Sequence, residues 1–119
     1  MGDREKTLAV EGNVLTASGE LRWDENERFA RLSCELLKAD EDLLVVDLSG
    51  VKFIFSAAVA IISDLAIRAQ EKGKRVEVRI PRRLEWILKN IWGAEERRSA
   101  QQNRMVPQAL KAIEMQIVD

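Results

Sequence analysis

The run Leu43-Leu44-Val45-Val46 constrains this chain more than any other feature, because four branched apolar residues in a row leave a strand no polar face to show to water. Such a strand belongs inside a sheet covered on both faces, and Asp47-Leu48-Ser49-Gly50 follows it with residues suited to a turn. A central strand over Leu43 to Asp47 is therefore predicted. A chain of 119 residues has room for one core built on such a strand and not for a comfortable second one, so a single domain over residues 1–119 is expected.

The segments on either side supply the rest of an α/β architecture. Leu8, Val10, Val14 and Thr16 flank Glu11-Gly12-Asn13, whose Gly/Asn pair tolerates positive φ, and this reads as a short hairpin. Asp24 with Glu27 makes a capping-box start, and Phe29, Leu32, Leu36 and Leu37 follow at helical spacing, which predicts a helix from Glu25 to Lys38. Ser56 is placed to cap a second helix whose Val59, Ile62, Leu65, Ala66 and Ala69 form one apolar face, with Gly73 just past its end. Arg75 to Ile80 alternates Val76, Val78 and Ile80 with Arg75, Glu77 and Arg79, the mark of a half-exposed strand.

Pro81 suits a first helical turn, and Leu84, Ile87, Leu88 and Ile91 give a third amphipathic stripe ending at Gly93. Residues 95–103 read as a loop, after which Pro107 starts a helical tail over about 104–117 carrying Leu110, Ile113 and Ile117. The order is a hairpin, then helices and strands in alternation, around a core at about residues 8–94.

The same residues close most routes to catalysis. The chain has no histidine and a single cysteine, so it holds no Ser-His or Cys-His pair and no standard zinc site, and no metal, cofactor or enzymatic activity is expected. Asp47 has no second carboxylate at a fixed short spacing, and a turn-stabilising role is the favoured reading. Cys34, between Leu32 and Leu36, reads as a small apolar helix residue. Nineteen basic residues balance twenty acidic ones, and Glu71, Glu77 and Glu85 interrupt the cluster Lys72, Lys74, Arg75, Arg79, Arg82 and Arg83, so solvated charge is expected there and nucleic acid is not. With no apolar run long enough for a signal or a span, the reading is cytoplasmic and without membrane insertion.

Val45-Val46-Asp47-Leu48-Ser49-Gly50-Val51-Lys52-Phe53-Ile54, a small-residue helix start, and Glu71-Lys72-Gly73-Lys74-Arg75-Val76 together resemble the STAS family of anti-sigma factor antagonists. Arg83-Leu84-Glu85-Trp86-Ile87-Leu88 is similar to that family's third helix, with Gly93 at its end. The resemblance implies a STAS-like (SpoIIAA-like) α/β fold, a mixed sheet opened by a β-hairpin with helices packed against it. It also implies a cytoplasmic, bacterial signalling role exercised by binding protein.

In anti-sigma antagonists an Asp-Ser-Ser-Gly turn opens the second helix, and its second serine is phosphorylated by the partner kinase. Laid on this chain, the aspartate falls on Phe55, the first serine on Ser56, the acceptor on Ala57 and the glycine on Ala58. Alanine offers no oxygen to modify, so no phosphorylation is expected; Ser56 is the one displaced candidate, and its reading as a helix cap is favoured. The resemblance places partner binding at Phe55, Ser56, Ala57, Ala58 and Val59, and a glutamate at Ala58 is expected to block the partner while sparing the fold.

Tryptophan is enriched at binding hot spots, which adds Trp23 and Trp86 to the partner-binding set. Trp86 lies off the apolar stripe of its helix, so either it faces a partner or a neighbouring segment covers it. The expected partner is a protein, an anti-sigma factor of the kinase-like kind or a transporter ATPase, with a homodimer as a further association. The alternatives are a soluble STAS subunit of a lipid- or ion-transport complex and a nucleotide-binding STAS protein.

Overall fold

Leu44, Val45 and Val46 are all buried, in a strand with neighbours on both sides. The computed structural model describes residues 7–21, 23–54, 56–86, 90 and 113–118. Its elements are β1 (Thr7–Glu11), β2 (Val14–Leu21), α1 (Asn26–Leu36), β3 (Leu43–Ile54), α2 (Ser56–Glu71), β4 (Arg75–Pro81), α3 beginning at 82–86, and β5 (Ile113–Val118). Among the described residues they form one sheet in the order β1-β2-β3-β4-β5, so β3 is central as its sequence requires. The β1/β2 pair is antiparallel and the other three are parallel, which makes the sheet mixed.

The hairpin closes at Glu11↔Val14, and Gly12 takes φ 62°, a region that costs glycine almost nothing. Asn13 ties the hairpin to the central strand: its side chain donates to the Leu43 carbonyl at 2.8 Å, and its own carbonyl accepts from Val45 N–H at 2.8 Å. The helices cover one face of the sheet. Leu15, Leu44, Val46, Leu48, Val76, Val78 and Ile80 pack there against Phe29 and Leu36 of α1 and Val59, Ile62, Leu65 and Ala69 of α2. On the other face β4 presents Arg75, Glu77 and Arg79, the alternation predicted from its sequence.

α2 ends in a Schellman motif: Gly73 at φ 74° donates to the Gln70 carbonyl at 3.0 Å, and Lys74 N–H donates to that of Ala69 at 2.8 Å. The Lys74 ammonium then donates to the Ala39 and Glu41 carbonyls at 2.7 and 2.8 Å, which fastens the α2–β4 connection to the one between α1 and β3.

Several local expectations change. A 3-10 turn, Trp23–Glu25, precedes α1, so Asp24 sits in that turn; the capping position is Glu25, which makes no side-chain cap bond, and the capping box is not used. β3 runs on past the Asp47-Leu48-Ser49-Gly50 stretch to Ile54, since register shifts against β2 absorb the extra residues that a regular ladder would expel. α2 begins at Ser56, whose side chain, and with it the capping reading, lies outside what is described. Pro81 closes β4 and pairs with Val118, and the third helix starts one residue later.

The largest correction is at the C-terminus, where Ile113–Val118 forms strand β5 and not part of a helical tail. Ile113 and Ile117 fit helical spacing, but Ile113-Glu114-Met115-Gln116-Ile117 also alternates with period two, and the open edge of β4 decides between them. Ile113 and Met115 lie opposite Val76 and Val78 and pack on the core's margin, while Glu114 accepts from Arg75 Nη1 at 3.0 Å. Ile87, Leu88, Ile91, Gly93, the loop over 95–103, Pro107 and Leu110 lie outside the described residues.

Candidate functional site

The start of α2 is positioned by the sheet itself. β3 carries the chain to Ile54 and the helix begins at Ser56, so the orientation of its first turn follows from the end of the strand. β4 pairs with β3 only as far as Asp47↔Arg79, whereas β2 follows β3 to Leu21↔Ile54. Arg83 Nη2 donates to the Val51 carbonyl at 2.8 Å and so fastens the start of α3 beside this extension of β3.

Within the first turn of α2 the side chains divide sharply. Ala57 is exposed, whereas Ala58 and Val59 are fully buried against the sheet. Ala58 and Val59 therefore support the helix start from beneath and offer a partner no surface, which corrects their assignment as contacts. It also corrects the choice of Ala58 for a tolerated glutamate, since a carboxylate there would enter the core. The first turn carries no acidic residue, so its free amides keep their partial positive charge uncompensated by the helix's own side chains.

Phe55 lies outside the described residues; for Ser56 and Trp23 the backbone is described and the side chain is not. Ser56 opens α2, and Trp23 opens the 3-10 turn that leads into α1. Trp86 is 73% exposed, which answers the question its position poses: it faces solvent.

A groove not foreseen from the sequence extends this surface. Ala57, Ala60, Ile61 and Asp64 follow one another along the outer side of α2, and the last three line a cavity of about 340 Å³ between α1 and α2. Ala30, Ser33, Cys34 and Leu37 supply its α1 wall, and the Asp64–Arg68 ion pair, at 2.9 Å, completes the α2 wall. Cys34 is exposed there and is not a core residue; the inward position next to it belongs to Ser33, whose hydroxyl donates to the Phe29 carbonyl at 3.0 Å. Small side chains at Ala30, Cys34 and Ala60 were the available signal, and they carry no directional information on their own.

The basic cluster is dispersed by the fold into separate local contacts. Lys74 holds two carbonyls, Arg75 meets Glu114, Arg79 meets Glu77 at 2.7 Å and Arg83 reaches Val51, so these charges do not converge on a ligand. Asp47 acts locally as well. One of its carboxylate oxygens accepts from Ser49 N–H at 3.0 Å and from Ser49 Oγ at 2.6 Å, holding the irregular stretch of β3 where the register against β2 shifts. Among the described residues no helix is long and apolar enough to cross a membrane.

A mixed sheet opened by a hairpin, with helices on one face and a helix start fixed by the central strand, defines an α/β domain of the STAS type. The chain belongs to the STAS domain family: the family model described as "Mlab, STAS domain" matches residues 5–90, well over half of the sequence. Among curated proteins none matches it. STAS domains are generally non-catalytic, and the family suggests a role in protein interaction of the anti-sigma antagonist kind.

Proposed function

We propose that this chain is a non-catalytic protein-interaction module that docks a protein partner at the start of α2 and does so without a phosphorylation switch. The observation that carries the reading is Ala57, exposed in the first turn of α2 at the position where the STAS pattern has its acceptor serine. A methyl group there keeps the surface small and accessible but gives a kinase no oxygen. Binding is then constitutive, set by the partner's presence and not by ATP turnover. Incubation with a cognate anti-sigma kinase and ATP is expected to add no phosphate, and mass spectrometry finding phosphate on Ser56 would overturn this.

The same missing hydroxyl favours a second reading, a permanent soluble subunit of a transport complex, because a fixed subunit needs no switch. The two readings predict different partners for one surface. Co-purification of a transporter ATPase with the chain supports the second, and a kinase-like anti-sigma factor supports the first.

A further inference from the structure

We propose that β5 is a self-association edge, through which two copies of this chain pair antiparallel about a two-fold axis at Met115 and join their sheets. β5 is the last strand of the sheet, and among the described residues nothing pairs with its outer side. An open edge presents a row of N–H and C=O groups to any second strand, and proteins usually blunt it with lysine or proline. Ile113-Glu114-Met115-Gln116-Ile117-Val118 has neither.

The strand's own sequence names the occupant. Ile-Glu-Met-Gln-Ile reads nearly the same in both directions about Met115. In an antiparallel pair centred there, Ile113 lies opposite Ile117 of the second copy, Glu114 opposite Gln116, and Met115 opposite itself. Directly opposed residues share a face, so like meets like: apolar side chains meet on the helix-covered face, and a glutamine amide can donate to a carboxylate on the other. Neighbouring registers fail this test. Centring the pair on Glu114 would set two carboxylates against each other, and centring it on Gln116 would place Glu114 opposite Val118. The pairing also covers Ile117, which at 37% exposure is, with Trp86, one of two exposed large apolar residues among those described.

Sedimentation equilibrium of the full chain over a dilution series is expected to show a species of twice the chain's 13.5 kDa mass. Ile117→Lys should weaken that dimer about tenfold or more, since the two-fold axis makes each substitution remove two apolar pairs. Register is read by cross-linking. With the native thiol removed as Cys34→Ser, Met115→Cys should form a disulfide-linked dimer on mild oxidation, because residues opposed on the axis have Cα atoms roughly 4.5–5.5 Å apart, within the span a disulfide bridges. Cys34→Ser with Glu114→Cys should not, since that residue faces position 116 of the other copy. A monomer at every concentration, a dimer indifferent to Ile117→Lys, or cross-linking through position 114 in place of 115 would each overturn the proposal.

Discussion

Ala57 and Ala58 are chemically identical neighbours, and one turn of α2 gives them opposite consequences. A glutamate at Ala57 points into solvent in a first turn that has no acidic residue, where the helix dipole favours it, so Ala57→Glu should keep or slightly raise stability. It should also abolish partner binding by adding bulk and charge to the docking surface. Ala58→Glu, at a fully buried position, should cost several kcal/mol and lower the melting temperature by about 10 °C or more. Thermal denaturation separates the two variants before any partner is known; equal melting temperatures would mean that the helix is rotated from the orientation described. The apolar stripe of Val59, Ile62, Leu65, Ala66 and Ala69 already fixes the helix's rotation and puts Ala58, four residues before Ile62, on its buried side; the motif alignment takes the first turn as one surface and does not separate Ala57 from Ala58. Ser33 and Cys34 teach the same lesson. Polarity ranks cysteine inside and serine outside, yet Ser33 is buried because its hydroxyl bonds to the Phe29 carbonyl of its own helix, and Cys34 turns out to the groove.

At the scale of elements, the β2/β3 ladder is where local reading stops short. Leu43 to Asp47 was legible as a strand because its apolar run is unbroken, whereas Ser49, Gly50 and Lys52 disturb any simple period. The disturbance has a cause in the pairing: the partner of Thr16 is Asp47 but the partner of Ser18 is Gly50, so one residue is taken up by an irregularity. Gly50 is needed at that point, since a Cβ on it would lie 2.8 Å from Ser18 Cβ. Gly50→Ala should therefore cost about 1–3 kcal/mol through a forced shift of the two strands. Ser18→Gly in the same chain should recover part of that loss, giving a coupling of about 1 kcal/mol in a double-mutant cycle by urea denaturation. Strict additivity would show that the strands part without cost and that the close approach is not what demands glycine.

For the molecule as a whole, the decisive strand is the one that lies beyond the family match, which ends at residue 90. The residues of β5 also fit helical spacing, and β4, the strand that decides between the two, is distant in sequence; no local pattern reports an open edge waiting for a strand. Its contribution can be weighed directly. Ile113 and Met115 are half-buried against the core, and six residue pairs join β5 to β4. Deleting residues 113–119 uncovers the β4 edge along Val76, Val78 and Ile80, at a cost of about 2 kcal/mol from the two half-buried side chains, with more from the lost ladder. The truncated chain should unfold at lower urea concentration and with a smaller m-value, because less surface remains to be exposed on unfolding. Docking at α2 should survive wherever the domain stays folded, since β3 and α2 are untouched. Unchanged stability after the deletion would mean that β5 adds nothing to the domain, and the sheet would then have to be redrawn with β4 as its edge.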